Sequence, residues 1–257
     1  MVITSRENKI YKLAVKLASR SGRERFGLFA VEGVRSVADA VKKGADIEHL
    51  IICDGFSCER IPCRNAYVFA KKLFCELSGT VAPQGVIALC RIPATKLEDI
   101  SDEGGCVVLC EGVQDPGNIG TVIRTAHAAF CGGVVLSSGC CDLYNPKTVR
   151  ATMSSIFSVP AVCRVTAAEA IEHFRSRGYR IICGALSPRA KSLYETDISG
   201  KTLIIVGNEG SGVTEETAAL CDDIVKIPMR QDAESLNVSA AASVLIYEHY
   251  RQKNYGI

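Results

Sequence analysis

A glycine-rich turn near the carboxyl-terminal end of the chain holds the residues best suited to binding a small ligand. It lies in the segment LIIVGNEGSGV, residues 203–213. The β-favouring apolar run 203–206 predicts a buried strand, and Gly207, Gly210 and Gly212 let the backbone turn sharply where Cβ atoms would clash. A turn of this kind after a strand is typical of a ligand-binding loop.

The residues after the turn predict the start of a helix. Thr214 can cap this helix, and Glu215 and Glu216 suit the positive end of its dipole. A strand, a glycine loop and a helix N-terminus together usually bind phosphate, but Glu209 at the centre of the loop would repel a pyrophosphate. We therefore expect a neutral or cationic ligand.

A second candidate, VQDPGNIGTVIRTAHAAF over residues 113–130, predicts a helix with Asn118 as its N-cap. The expected buried stripe consists of Ile119, Val122, Ile123, Ala126 and Phe130. Arg124 falls outside this stripe. Because helical side chains lean toward the N-terminus, Arg124 is expected to point back toward Asn118 and the end of the preceding strand. Taken alone, the pattern also fits a capped helix with one surface arginine.

Two further stretches place polar residues beside helix starts. In residues 227–239, either Ser235 or Asn237 can cap the last helix. The expected core residues of that helix are Val238, Ala241, Ala242, Leu245 and Ile246. Residues that could contact an RNA backbone, or merely complete a turn at a proline, are Asn145, Lys147 and Arg150.

The rest of the chain alternates between strand-like and helix-like segments and predicts two α/β domains. Residues 1–95 form a small domain that opens with an amphipathic helix over 8–19. The polar stretch 96–105 is the expected linker. In 106–257 continuous apolar strands alternate with helices, which indicates a parallel sheet covered on both faces. The ligand is then expected at the carboxyl ends of its strands.

Composition and cysteine usage exclude several classes of protein. Of 257 residues, 47% are apolar and 23% are charged, as in an ordinary globular protein. No apolar run reaches the roughly 18 residues of a membrane span, and the N-terminus lacks the apolar core of a signal peptide, so we expect a cytoplasmic protein without membrane contact. The 13 cysteines include no CxxC pair and fit no zinc spacing, so we expect buried thiols and no metal.

The net charge of +2 conceals a basic amino-terminal segment. Its cationic residues, opposed only by Glu7 and Glu24, are Arg6, Lys9, Lys12, Lys16, Arg20, Arg23 and Arg25. Such a cluster suits RNA phosphates, although a basic helix face is also often only solvated.

In this order, the motifs resemble those of the SpoU (TrmH) family of 2′-O-ribose RNA methyltransferases, part of the SPOUT superfamily. The resemblance rests on GNIGTVIR, VGNEGSGV and IPM followed by SLNVSAA. The amino-terminal segments ITSRENKIYKLAVKLASR and FAVEGVRSVADAVKKG are similar to the ribosomal-protein-like substrate-binding domain of many members. The resemblance implies a small α/β RNA-binding domain followed by a trefoil-knotted α/β domain that binds S-adenosylmethionine.

The resemblance also implies roles for individual residues. The cofactor is held by Gly207, Ile227 and Leu236, largely through backbone contacts, with Met229 lining the adenine pocket. The residues implied at the reaction centre are Asn118, Arg124, Glu209, Ser235 and Asn237. One departure is the run 230–233, Arg-Gln-Asp-Ala, where relatives often have glycines. It leaves the contacts of that loop to the cofactor open.

The implied chemistry agrees with the residues of the loop. S-adenosylmethionine is a sulfonium cation without phosphate, so Glu209 is compatible with it and unfavourable for NAD or ATP. A ribose 2′-OH is a weak nucleophile that must lose its proton as the methyl group moves. Arg124 suits the flanking phosphate and the developing alkoxide because its guanidinium stays positive. We expect it to act electrostatically, with the proton passing to phosphate or water.

Other readings and partners follow from the same residues. A Rossmann-type enzyme is disfavoured because the glycines read GxxGxG near the end of the chain, and a catalytically silent RNA-binding protein is disfavoured because all five reaction-centre residues are present. Ribosomal RNA is favoured over transfer RNA, since the amino-terminal domain is similar to that of members acting on ribosomal RNA.

We also expect a homodimer through the second domain. The small residues 239–243 permit close helix packing, and Leu245, Ile246 and Tyr250 exceed one narrow stripe. The resembling family dimerises through this helix and the helix of the first motif. The alternative is that the amino-terminal domain covers the surplus.

Overall fold

Each part of the chain is built around one β-sheet. The computed structural model describes residues 1–57, 61–80, 82–230, 232 and 234–256. One compact unit comprises Met1–Ala94 and Asp142–Phe157, and the other comprises Thr95–Cys141 and Ser158–Ile257. Residues 142–157 thus pack with the amino-terminal unit, although the sequence pattern places them in a domain over 106–257.

Strands and helices alternate along most of the chain, as the sequence pattern predicts. Before residue 95 they are β1 (Val2–Ile3), α1 (Lys9–Lys16), α2 (Arg20–Phe26), β2 (Leu28–Glu32), α3 (Val34–Lys42), β3 (Ile47–Cys53), β4 (Asn65–Phe69), α4 (Lys71–Leu77) and β5 (Val86–Arg91). After it they are β6 (Cys106–Cys110), α5 (Pro116–Ala128), β7 (Gly133–Ser137), α6 (Pro146–Ala151), β8 (Ala161–Val165), α7 (Ala167–Ser176), β9 (Arg180–Gly184), β10 (Lys191–Ser192), β11 (Thr202–Val206), α8 (Glu215–Ala219), β12 (Asp223–Lys226) and α9 (Val238–Tyr255). The sequence pattern did not indicate α2 or the two-residue strands β1 and β10.

The sheet of the second unit has the strand order β10-β12-β9-β11-β6-β7-β8, and every pairing is parallel. Strands β6, β7 and β11 are buried along their whole length, which explains why their sequences are continuously apolar. The predicted parallel sheet is therefore confirmed. Its central strands end together, with Val206 of β11 paired to Cys110 of β6. The knot implied by the resemblance stays a prediction.

The sheet of the first unit is mixed, with the order β1-β4-β3-β5-β2. Strand β4 pairs in parallel with β1 and β3, whereas β5 pairs antiparallel with β3 and β2. The amphipathic helix predicted over 8–19 is shorter, since α1 ends at Lys16 and Ser19 caps a separate helix, α2. The apolar face of α1 packs as predicted, through Ile10, Leu13 and Ala14.

Residues 142–157 contribute aromatic side chains to the core of the first unit. The ring of Phe29 on β2 lies 4.7 Å from that of Tyr144 and 6.2 Å from that of Phe157. Val149 of α6 is buried in the same cluster. Of the polar residues that could contact RNA or merely complete a turn, Asn145 caps α6, whereas Lys147 and Arg150 are exposed.

The cysteines of β5, β6 and β9 lie in the core. As expected, Cys90, Cys106, Cys110 and Cys183 are buried thiols, whereas Cys75 is exposed. Burial raises the pKa of the Cys90 thiol to about 12, so that thiol stays protonated. Within the described ranges, no helix combines the length and the apolar character needed to cross a membrane.

Candidate active site

A cavity of about 530 Å³ opens at the carboxyl edge of the second sheet. Gly184, Val206 and Lys226, at the ends of β9, β11 and β12, contribute to its wall, as does every residue of the loop 207–213. Its volume is in the range of sites for drug-sized ligands. The ligand position expected from the strand pattern therefore coincides with a real cavity.

The loop 207–213 closes on itself through backbone hydrogen bonds. The N–H of Asn208 donates to the carbonyl of Gly212, and the N–H of Gly212 donates back, each over 2.9 Å. Gly212 has φ +71°, which glycine adopts at little cost. The side-chain oxygen of Asn208 accepts from the N–H groups of Gly210 and Ser211, over 2.9 and 3.2 Å. Asn208 thus fills the turn from within.

Gly207 is required by the loop's own backbone. A Cβ at this position would lie 2.0 Å from the carbonyl carbon of Gly212 and 2.1 Å from the nitrogen of Val213. No real Cβ approaches backbone so closely, so any side chain would force the loop apart. The clash that the sequence predicts for a Cβ in this turn is therefore with the backbone of the loop itself.

The carboxylate of Glu209 binds the segment that precedes α5. Its oxygens accept hydrogen bonds from the backbone N–H groups of Gln114 and Asp115, over 3.1 and 3.0 Å, and from the side-chain amide of Asn118, over 3.0 Å. Burial alone would raise the pKa of Glu209, but the hydrogen bonds from Asn118 and the two backbone amides outweigh it, and the pKa lies below its usual value. Glu209 is therefore ionised, and its hydrogen bonds hold the start of the first motif, GNIGTVIR, residues 117–124, in place.

Asn118 is not the N-cap of α5, so that prediction is wrong. The cap is Asp115, whose side chain accepts from the N–H of Asn118 over 2.9 Å, and Pro116 occupies the first turn. Asn118 lies in the first turn of the helix and is only 8% exposed. From this position its side chain forms hydrogen bonds with distant parts of the chain.

The second partner of the Asn118 side chain is Asn237. The amide of Asn237 donates to Oδ1 of Asn118 over 3.0 Å. Oδ1 of Asn237 accepts from the N–H groups of Ser239 and Ala240, over 2.9 and 3.3 Å, so of the two candidate caps Asn237, and not Ser235, caps α9. A continuous chain of hydrogen bonds therefore runs from Asn237 through Asn118 to Glu209 and joins the three motifs.

Arg124 lies on the exposed side of α5 and does not line the cavity of its own chain. It forms no hydrogen bond or ion pair with any residue that the structure describes. The stripe that excludes it is buried as predicted, at Ile119, Val122, Ile123 and Ala126. Phe130 was wrongly assigned to the stripe: α5 ends at Ala128, and Phe130, with φ +57°, is 69% exposed.

The expected cofactor-binding residues Gly207, Ile227, Met229 and Leu236 all line the cavity, together with Ser235. In the departing run 230–233, Arg230 pairs with Asp232 over 3.1 Å, whereas Gln231 and Ala233 lie outside the described residues. The described part of the chain holds no cluster of three or more His, Cys, Asp or Glu suited to a metal ion.

Three residues that shape the site were not singled out from the sequence: Glu111, Asp115 and Asn208. Asp115 carried a usable signal, because Asp before Pro often marks a helix start. Asn208, between the strand and a glycine-rich turn, suits a side-chain-to-backbone turn. Glu111 carried no local signal, since its contacts are made with residues more than a hundred positions away.

Fold and site together define an α/β enzyme with a glycine-loop cavity at the carboxyl edge of a parallel sheet. Comparison with known proteins identifies the family. The model of the SpoU rRNA Methylase family matches residues 105–247, and that of the MRM3-like substrate binding domain matches residues 8–88.

Individual relatives match along nearly the whole chain. The 23S rRNA (guanosine(2553)-2′-O)-methyltransferase RlmP of Bacillus subtilis is 33% identical over 95% of this chain and 97% of its own. The 23S rRNA (uridine(2479)-2′-O)-methyltransferase of Streptomyces viridochromogenes is 33% identical over 99% of this chain and 93% of its own. The crystal structure of the SpoU methyltransferase AviRb from Streptomyces viridochromogenes with AdoMet is 30% identical, with a TM-score of 0.89 over 98% of this chain and all of that one. The chain belongs to the SpoU rRNA methylase family.

Proposed function

We propose that this protein transfers the methyl group of S-adenosylmethionine to the 2′-oxygen of a ribose in ribosomal RNA. The observation that carries the proposal is the hydrogen-bonded chain Asn237–Asn118–Glu209, which assembles three motifs of the family beside one cavity. Relatives that methylate 23S rRNA match this chain from end to end, including its amino-terminal unit. Such a substrate fits a cytoplasmic enzyme.

The cavity suits S-adenosylmethionine rather than a nucleotide with phosphates. Its wall combines the backbone of the loop 207–213 with the apolar side chains of Leu186, Ile227, Met229 and Leu236. Glu209 keeps a negative charge at the loop, and a cationic cofactor tolerates this charge better than a pyrophosphate would. When bound, the cofactor supplies an electrophilic methyl group on sulfur.

Within this function, Arg124 activates the RNA. Its guanidinium remains charged and can donate two parallel hydrogen bonds to a phosphate next to the reacting ribose, which would stabilise the developing negative charge on the 2′-oxygen. Asn118, Glu209, Ser235 and Asn237 hold the cofactor side of the centre in place. The proton leaves to phosphate or solvent.

The test of this function is methyl transfer from labelled S-adenosylmethionine to bulk ribosomal RNA. The unmodified protein should bind the cofactor and label the RNA, and mapping should place the label on a single 2′-oxygen. Arg124→Ala should lose transfer by at least about 100-fold while keeping its cofactor affinity, because Arg124 lies outside the cavity. Full activity of Arg124→Lys would contradict the bidentate role. If the protein labels transfer RNA but not ribosomal RNA, its substrate is transfer RNA and the proposed substrate is wrong.

We propose that the basic amino-terminal segment contacts RNA, but through fewer cations than the sequence indicated. Carboxylates already pair with four of its cations, namely Arg6, Lys12, Arg20 and Arg23. The cations without a carboxylate partner among the described residues are Lys9, Lys16 and Arg25. Both Lys16 and Arg25 lie over the ring of Phe26, at 5.7 and 5.5 Å from its centroid. These three cations are the proposed phosphate contacts.

Replacing Lys9, Lys16 and Arg25 by glutamine should weaken RNA binding and lower the slope of log affinity against log salt by about one per lost phosphate contact. Lys12→Gln is the matched control, because Lys12 already pairs with Glu7. A slope that stays unchanged in the triple variant would assign these cations to a merely solvated face.

A homodimer is the proposed assembly, but its surface differs from the one expected. Leu245 and Ile246 are 1% and 0% exposed, so they belong to the core of their own unit and offer no surplus. The apolar surface lies instead in an aromatic patch made of Phe130, Tyr247, Tyr250 and Tyr255. Within this patch, the ring of Tyr250 lies 6.1 Å from those of Phe130 and Tyr247 and 6.2 Å from that of Tyr255.

The aromatic patch supports a dimer because Phe130, Tyr247 and Tyr255 are 69, 48 and 76% exposed, which is costly for a lone chain. A partner bound there would also explain why Arg124 does not line the cavity of its own chain. Sedimentation at low micromolar concentration should show a species of twice the 27.6 kDa chain mass, and Tyr247→Glu should dissociate it. A fully active monomer would exclude the dimer and any shared site.

A further inference from the structure

Glu111 follows the last residue of β6 and contacts both ends of the cavity loop. Its backbone N–H donates to the carbonyl of Val206 over 2.8 Å, at the point where β11 ends and the loop begins. Its side-chain carboxylate accepts from the N–H and the hydroxyl of Thr214, each over 2.9 Å, where the loop ends. One residue therefore joins the start of the loop to its end.

The same carboxylate also receives the hydroxyl of Thr217, inside α8. Thr217 is only 5% exposed, and its N–H donates to Thr214 Oγ1 over 3.2 Å. The Glu111 carboxylate, which has only acceptors, thus meets three donors from the first turn of α8. This arrangement fixes the position of Thr214 more firmly than a cap formed by Thr214 alone.

Nearer its tip, the loop also contacts the residues that follow Glu111. The side-chain amide of Asn208 donates to the carbonyl of Gly112 over 2.8 Å, and Glu209 binds the N–H groups of Gln114 and Asp115. The segment 111–115 therefore lies along the loop from its base to its tip. Within this segment, Glu111 contacts both ends of the loop, with its backbone at Val206 and its side chain at Thr214.

We propose that Glu111 is a positioning residue for cofactor binding, which holds the loop 207–213 in the shape that forms the cavity wall. The inference rests on the proposed function, because it concerns the same cavity. Glu111 does not line the cavity, so its effect passes through Thr214 and the loop. Losing its side chain would leave the loop to be ordered at the expense of binding energy, which lowers affinity without removing any contact to the cofactor.

The experiment compares Glu111→Ala and Glu111→Gln with a matched control, Glu169→Ala. Glu169 makes the same kind of contact at α7, where its carboxylate accepts from the N–H and the hydroxyl of Thr166, over 2.8 and 2.7 Å, but it lies outside the cavity wall. Calorimetric titration with S-adenosylmethionine gives the Kd, and thermal unfolding gives the stability of each variant. Methylation of ribosomal RNA at saturating cofactor gives kcat.

We expect Glu111→Ala to raise the Kd about tenfold, because part of the binding energy is then used to order the loop. Glu111→Gln keeps one acceptor oxygen and should give a smaller rise, and it provides the comparison if the alanine variant does not fold. At saturating cofactor kcat should stay within about twofold, because bound cofactor restores the loop. Glu169→Ala should lower the unfolding temperature but leave the Kd unchanged.

Two results would overturn the inference: an unchanged Kd in Glu111→Ala, or an equal rise in Glu169→Ala, which would show that general destabilisation is the cause. A double-mutant cycle with Thr217→Val adds a further check. If Glu111 acts through α8, the fold-increase in Kd of the double variant should be smaller than the product of the two single fold-increases. A fold-increase equal to that product would show that Glu111 does not act through Thr217. Absence of binding by the unmodified protein would instead overturn the proposed function.

Discussion

The side-chain amide of Asn118 donates a hydrogen bond to the Glu209 carboxylate over 3.0 Å, between residues 91 positions apart. The geometry leaves no freedom in the orientation of the Asn118 amide, because its oxygen must accept from Asn237, whose own oxygen is occupied by the start of α9. A single buried amide therefore matches a carboxylate on one side and a donor on the other. Only asparagine has both groups at this length.

The first prediction concerns Asn118→Asp. The new carboxylate could still accept from Asn237, but its other oxygen would face the ionised carboxylate of Glu209 at hydrogen-bonding distance. We expect a loss of about 2 to 3 kcal/mol in the free energy of unfolding, from the lost donor and the buried like charges, together with weaker cofactor binding. Denaturant titration at neutral pH measures the first and calorimetry the second.

Asn118→Ala is the control for this prediction. It also removes the donor but adds no charge, so it should cost less than Asn118→Asp. If the aspartate variant is as stable as the alanine variant, the Glu209 carboxylate is not ionised in the folded protein.

The second prediction concerns Gly207→Ala. Its Cβ would overlap the backbone of Gly212 and Val213, so the loop must open and cofactor binding should fall below detection by calorimetry. Gly210→Ala is the matched control in the same loop, since its Cβ would meet only the side-chain oxygen of Asn208 at an ordinary 3.5 Å. Equal affinities in the two variants would show that the backbone closure does not shape the site.

Much of this architecture could be predicted from the sequence because its signals are local. The continuous apolar runs gave the parallel sheet, and the glycines with Thr214 gave the loop and the capped helix α8. The position of the cap on α5 was also local information, but Asp115 and Pro116 compete with Asn118 for it, and the residue preceding the proline forms the cap.

The remaining features depend on contacts between distant residues. Nothing within 142–157 indicates that Tyr144 and Phe157 complete the core around Phe29. Likewise, Leu245 and Ile246 looked like surplus apolar surface because α9 is buried on more than one narrow stripe. Periodicity reports how many faces of a helix are apolar, but not which neighbour covers each face.

The third prediction concerns the ion pair between Arg23 of α2 and Asp142. The Arg23 side chain is 3% exposed, lies 2.5 Å from the Asp142 carboxylate and also donates to the carbonyls of Leu17 and Ala18. Arg23→Met keeps the apolar stem but leaves these acceptors unpaired, so we expect unfolding to become easier by about 3 kcal/mol. Thermal or denaturant unfolding measures the effect.

Arg20→Ala provides the comparison for Arg23→Met on the same helix. Arg20 pairs with Glu24 at the exposed surface, so its loss should change stability by no more than about 0.5 kcal/mol. If the two variants lose similar amounts of unfolding free energy, the buried ion pair stabilises the protein no more than the exposed one does.

The last prediction concerns pH and His249. The ring of His249 on α9 is 2% exposed and lies 3.0 Å from the carbonyl of Gly200. Burial lowers its pKa, and the nearby Lys253 adds to the effect. The folded protein therefore binds this proton less readily than the unfolded chain, in which the pKa is about 6.5. Its contribution to stability is complete above that pH and is lost as the pH falls through it, with a slope of at most about 1.4 kcal/mol per pH unit. Carboxylates with lowered pKa values, such as Glu76 at about 2, lose their contribution only at lower pH, below the unfolded-state value of about 4.3.

The experiment measures the free energy of unfolding at pH 7.5 and at pH 5.5. The difference between the two values should be about 1 kcal/mol smaller in His249→Gln than in the unmodified protein. An identical difference would mean that His249 does not titrate in this range.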